Sequence, residues 1–123
     1  MMEDHPEKTC SIDRLIRHPR LVAAALAGRK TEQRRDGVYG WPGERFTLQG
    51  VPFVCTALER QRLGDMDDAD ARAEGFPDLA AYREMILTLH RTMGWNPDAL
   101  VWVHRFRRCD DTPAPSNEGE ESA

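Results

Sequence analysis

Lysine is nearly missing from this chain: of its 17 basic residues only Lys8 and Lys30 are lysines, and the rest are arginines. Guanidinium groups are suited to bidentate phosphate contact and to stacking on bases, so the bias points toward nucleic acid as a partner. Cysteine is sparse as well. Cys10, Cys55 and Cys109 are odd in number and contain no CxxC pair, which argues against a disulfide framework or a zinc site and leaves reduced thiols as the expectation. Long apolar runs are absent: the longest, Leu21 to Ala27, is far short of the ~20 residues a bilayer crossing needs, so no membrane partner is expected. His5, His18, His90 and His104 lie far apart without metal spacing. Asp65, Asp67, Asp68 and Asp70 lack the glycine and distal glutamate of an EF-hand loop. Neither a metal nor a cofactor is therefore expected.

What is present fits one soluble domain. A chain of 123 residues and 14.0 kDa can bury a single modest core, and 40% hydrophobic with 31% charged residues is ordinary for a globular protein. The opening segment MMEDHPEKTC is acidic and polar where a secretory leader needs a basic start and an apolar core, so a cytoplasmic protein is expected. The net charge of −4 hides a division along the chain. The stretch 110–123 carries five acids and no base, and residues 1–8 carry three acids and one lysine, leaving 16 bases and 13 acids between them. The folded part is thus mildly basic. The domain is expected over 11–109, with a flexible start at 1–10 and a disordered acidic tail at 110–123, whose composition offers no large apolar side chain to repay ordering.

Periodicity places the elements. Ser11 can cap a helical turn ahead of Ile12, Leu15 and Ile16, and Pro19 is expected to end or kink it. Leu21, Val22, Ala25 and Leu26 recur at helical spacing, and Gly28 stands where a left-handed cap commonly stops a helix. The segment Arg29 to Gly37 is then presented at the helix exit. Phe46 and Leu48 alternate ahead of a Gln49-Gly50 turn, and Val51, Phe53, Val54 and Cys55 follow, a hairpin pattern. Asp67 can cap a short helix to Ala73, and Asp78 a longer one with Leu79, Tyr82, Met85, Ile86 and Leu89 on one face, closed by Gly94. Leu100 to Phe106 is dense in β-branched and aromatic residues and reads as a strand, with Trp102 expected in the core. Helices and strands mix without βαβ alternation, which favours an α+β arrangement with a mainly antiparallel sheet.

The densest chemistry is Arg29, Lys30, Arg34 and Arg35, with Glu32 and Gln33 among them. Such a cluster attracts phosphate and, in a concavity, can orient a polar base. Gly28-Arg29-Lys30-Thr31-Glu32-Gln33-Arg34-Arg35 resembles the GxKxx(E/T)xR signature of the ASCH family, placed after a helix as in that family. Gly28, Lys30 and Arg35 match it. The later landmarks are in the family's order: Pro42-Gly43-Glu44 before a strand pair, Leu63-Gly64-Asp65 leading to Ala73-Glu74-Gly75-Phe76, a helix, and Val101 to Phe106 as closing strand.

The resemblance spans about residues 12–107 and implies a PUA-like mixed or antiparallel β-barrel with flanking helices. Its implied function is binding of RNA or a modified nucleoside in a cleft. Gly28, Lys30, Gln33, Arg35 and Glu74 are the implied ligand-binding residues, and Trp41, beside the basic segment, is a candidate for stacking on a base. Some small members of the family are amidohydrolases that deacetylate N4-acetylcytidine with a lysine, a threonine and a later glutamate. Lys30 and Glu74 match as catalytic residues, while Gln33 stands at the threonine position and cannot form a nucleophilic alkoxide. Amidohydrolase activity is thus the alternative, with ribonuclease activity behind it. Among the histidines, His104 in the closing strand is the one placed to matter. The sequence assigns no oligomeric state.

Overall fold

The computed structural model describes residues 5–89 and 94–109, and among them four antiparallel strands and three α-helices build the fold. The expected acidic tail at 110–123 lies outside the described residues. A 3₁₀ turn at Ile12–Arg14 opens the domain, with the Ser11 hydroxyl accepting from the Asp13 amide at 3.2 Å. The first turn ends before Pro19, as expected, and Pro19 also starts the next helix: α1 spans Pro19–Leu26, with proline in the first turn, where its missing N–H has no intrahelical partner to lose. His18 caps it through Nδ1, which accepts from the Arg20 amide at 3.2 Å. Gly28 stops the helix at φ 83°, and the amides of Arg29 and Lys30 both turn back to the Ala24 carbonyl.

The segment after Gly28, expected only to be presented at the helix exit, takes an extended form. Glu32–Arg35 is a strand, β1, although its four side chains are all polar. Strand β2, Arg45–Leu48, turns at Gln49 and Gly50, with φ of 50° and 82°, into β3, Val51–Arg62. Two consecutive positive φ values belong to the two-residue turn whose twist matches a hairpin. Helix α2, Asp68–Ala73, carries a reciprocal capping box between Asp67 and Asp70. Helix α3 is described over Leu79–Leu89, and Asp78 accepts from the Ala81 amide at 2.9 Å. The last strand, β4, is Leu100–Arg108. The sheet order is β1-β4-β3-β2, curled into a half-barrel, with an irregularity between Cys55 and Ala57 that bends the long strand β3.

Two apolar clusters hold these elements. Ile12, Leu15, Ile16 and Ala25 pack on Phe46, Leu48, Phe53, Cys55 and Phe106, where the three phenylalanine rings meet within 5.5 to 5.9 Å. Each such ring pair adds about 0.5–1.5 kcal/mol beyond its buried area. Met66, Ala71 and Tyr82 form the second cluster, with Phe76, Met85, Ile86 and Trp95 packed against it. Trp102, expected in the core, is only half-buried, with the Arg60 guanidinium 4.6 Å from its ring centre.

Residues 6, 9 and 10 of the N-terminal segment make contacts with the loop after β1. The amides of Thr9 and Cys10 donate to the Val38 carbonyl at 2.7 and 3.2 Å, and the Trp41 indole donates to the Pro6 carbonyl at 2.8 Å. Among the described residues, no helix is long and apolar enough to cross a membrane, and no group of three His, Cys, Asp or Glu side chains could hold a metal ion.

Candidate ligand-binding cleft

Strand β1 owes its place to hydrogen bonds rather than to apolar side chains. It pairs with β4 so that Glu32 stands opposite Arg105, Gln33 opposite His104, Arg34 opposite Val103 and Arg35 opposite Trp102. Just before it, the Thr31 amide donates to the Ala73 carbonyl at 2.7 Å, which joins the motif to the end of α2. Gly75 then crosses at φ 102°, and a Cβ there would lie 3.5 Å from Ala24 Cβ and from Lys30 Cβ. The chain thus brings Lys30 and Glu74 together from 44 positions apart.

Lys30 is 1% exposed and spends all three ammonium protons: on the Glu32 carbonyl at 2.7 Å, the Glu74 carbonyl at 2.9 Å and Glu74 Oε1 at 3.1 Å. Burial pushes its pKa below the usual lysine value, and Glu74 offsets only part of that. The other oxygen of Glu74 accepts from Arg34 Nη1 at 3.0 Å. Arg34, itself buried, also donates through Nε to Gln61 Oε1 at 2.8 Å and lies 3.6 Å from Asp70 Oδ1. Burial opposes its charge, but Glu74 and Glu32 outweigh this and raise its pKa above the ordinary arginine value. Glu32 Oε1 sits 2.9 Å from Arg34 Nη1 as an ion pair without a directed hydrogen bond, while Oε2 accepts from Arg105 Nε at 2.9 Å. The result is one chain of alternating charge, buried from Lys30 through Glu74 and Arg34 to Glu32 and ending on the part-exposed Arg105.

This network backs a cleft of about 790 Å³. Gln33, Arg34, Arg35 and Glu74 line one side, Arg17, His18 and Arg20 from the start of α1 line another, and Phe76, Tyr82, Met85 and Ile86 form an apolar wall. The combination of an apolar surface with a few convergent polar groups is that of a small-ligand site. Burial raises the Tyr82 pKa, so its hydroxyl remains protonated.

Of the residues expected at the site, Gln33, Arg35 and Glu74 are brought to the cleft together, and Lys30 stands behind it, in contact with Glu74. The Arg35 guanidinium is engaged with the protein itself: it donates to the Leu15 carbonyl at 2.6 and 3.1 Å and stacks 5.0 Å from the Tyr39 ring centre. Gly28 serves as the helix stop and does not line the cleft. Trp41 is elsewhere, under a stacked His5 ring at 4.9 Å and the Lys8 ammonium at 5.0 Å. Sequence reasoning gave no role to Gln61 or Asp70 and did not single out Arg34 from the basic cluster. The signal for Arg34 was its place one residue from Gln33 in the motif; nothing in the sequence marked the other two.

His104 is fully buried and links the motif to the loop beyond β1. Its Nε2 accepts from the Tyr39 amide at 3.0 Å, which leaves the proton on Nδ1 to be donated to the Gln33 carbonyl at 3.2 Å. Burial lowers its pKa, in keeping with a neutral ring.

Comparison with solved structures places this architecture. An ASCH domain from Lactobacillus crispatus JV V101 superposes with a TM-score of 0.58 at 14% identity, over 72% of this chain and 69% of that one. The fold is ASCH-like. The expected α+β class and the PUA-like form of the sheet with flanking helices are borne out with it. A protein from Enterococcus faecalis V583 carrying the family model DUF984 aligns at 17% identity with a TM-score of 0.49, over 84% of this chain and 77% of that one. No family model matches the sequence, and no curated protein does. In the ASCH-like fold of this chain, the motif segment forms the sheet's edge strand β1 beside the cleft.

Proposed function

We propose that this protein binds RNA or a modified nucleoside in the cleft between β1, the start of α1 and α3. The observation that carries the reading is the joining of three unlike surfaces in one concavity. Exposed Arg17 and Arg20 offer charge to phosphate, the apolar wall with Phe76 and Met85 offers a surface to a base, and Gln33 and Glu74 line the polar side on which its edge would lie. The resemblance of the motif and the ASCH-like fold support the same class of ligand. Arg17 and Arg20 replace Lys30 as the first candidates for phosphate contact, because the Lys30 ammonium has its protons committed inside the protein. The test is titration of short single-stranded RNA against the protein and against Arg17→Ala and Arg20→Ala. Weaker binding and a shallower salt dependence in each variant are expected, and unchanged affinity in both sinks the reading.

Hydrolysis of an N4-acetylcytidine-type amide is the second reading, favoured by the contact of Lys30 with a carboxylate that lines the cleft. With Gln33 at the threonine position the nucleophile would be water, activated by Glu74 as general base, with the Gln33 amide holding the carbonyl. Mass spectrometry of N4-acetylcytidine incubated with the protein decides it: loss of the acetyl group that Glu74→Gln abolishes supports this reading, and an intact nucleoside removes it.

A further inference from the structure

Gln33 poses a problem that the protein alone does not solve. The residue is 8% exposed and lines the cleft. Its Nε2 donates to the Arg34 carbonyl at 3.2 Å, which fixes the orientation of the amide and turns Oε1 away from that partner. Among the described residues Oε1 is buried with no hydrogen-bond donor. Nearby donors are already taken: Arg34 serves Glu74 and Gln61, and the His104 Nδ1 proton goes to the Gln33 backbone carbonyl. A buried amide oxygen left unpaired costs about 1–3 kcal/mol.

We infer that Gln33 is the specificity residue of the cleft, and that it selects a nucleobase bearing an exocyclic N–H, whether a primary amine or an amide nitrogen. The inference rests on the nucleoside-binding reading above and adds which edge of the base is read. The neighbouring donors on Arg34 and His104 already have their partners, so the Gln33 oxygen is satisfied by a donor that arrives with the ligand. Oε1 is shut off from solvent, so it meets the N–H of a ligand when the Gln33 side chain turns toward the cleft and gives up its Nε2 bond to the Arg34 carbonyl. That movement removes the cost of the orphaned acceptor at the moment of binding, and the amide N–H it frees is taken up by the ring nitrogen beside the exocyclic group. A base offering only acceptors at that point would leave the oxygen unpaired and add a second unpaired group of its own. The apolar wall of Phe76, Met85 and Ile86 suits the flat face of the same base.

The experiment compares ligands that differ by the amino group alone: cytidine against its 4-deamino analogue, and adenosine against purine riboside, by calorimetric titration of the full chain. At least one amino-bearing nucleoside is expected to bind about tenfold more tightly than its partner, the size of one satisfied hydrogen bond to a buried group. Gln33→Met, similar in shape without the acceptor, is expected to bind both members of that pair equally, and Gln33→Glu, which keeps acceptor oxygens, to retain the preference. Equal affinity of the wild-type protein for both members of each pair overturns the inference and leaves nucleoside binding standing, as does a preference that survives in Gln33→Met. No binding of any of the four nucleosides or of short RNA overturns the inference together with the reading beneath it.

Discussion

Glu74 is the residue on which the buried network turns, since it faces Lys30 with one oxygen and Arg34 with the other. Glu74→Ala would leave two cationic side chains buried without their shared counter-charge, for which a loss of about 3–5 kcal/mol is expected in urea denaturation. A loss under about 1 kcal/mol would mean that water reaches the pair. Arg35 illustrates the opposite lesson. Its type and its place in the motif suggested a phosphate ligand, yet its guanidinium holds the Leu15 and Arg14 carbonyls. Arg35→Ala should therefore lower the thermal midpoint, and any loss of RNA affinity should vanish once folded protein is counted. His104 carries a pH signature. Its folded-state pKa is depressed by burial, so the unfolded state binds the proton more readily. Its contribution to stability is full above the ordinary histidine value of about 6.5 and is lost as pH falls below it, by at most about 1.4 kcal/mol per unit. Stability measured at pH 7.5 and 5.5 should fall by less in His104→Gln than in the wild-type protein.

At the level of elements, legibility in the sequence followed apolar patterning. The β2–β3 hairpin was readable from Phe46, Leu48 and the Gln49-Gly50 turn, β4 from its β-branched and aromatic run, and α2 and α3 from Asp67 and Asp78. Strand β1 was not, for a physical reason. Its side chains Glu32, Gln33 and Arg34 are buried against charged and amide partners rather than hydrocarbon, so the alternation that marks a strand never appears. The resemblance could name Lys30 and Glu74, but the partners Gln61 and Asp70 come from β3 and α2 and meet the motif only in three dimensions. Trp41 misled because proximity to the basic segment in sequence is not proximity to the cleft. The turn between α2 and α3 makes its own prediction. Gly75 holds φ 102° against Ala24 and Lys30, so Gly75→Ala should cost about 1–3 kcal/mol of stability in thermal denaturation and displace Glu74 from the cleft.

Across the whole molecule, the charge is divided in a way that bears on binding. The full chain carries −4, while removal of residues 110–123 takes five acids and no base and leaves +1. The exposed arginines at the cleft rim act on a polyanion through the long-range field as well as by contact, and acids in the same chain oppose them. Truncation after Cys109 should therefore tighten the binding of short RNA at low ionic strength. The gain should shrink toward nothing by physiological salt, where the screening length falls to about 8 Å. The salt dependence separates field from contact. Arg17→Ala and Arg20→Ala each remove a phosphate contact and should lower the slope of log affinity against log salt by about one, whereas truncation should add affinity at 20 mM salt through the general field. If truncation raised affinity equally at low and high salt, the acidic segment would be competing for the cleft directly. If it changed nothing at low salt, the field at the rim would be set by Arg17, Arg20 and their neighbours alone.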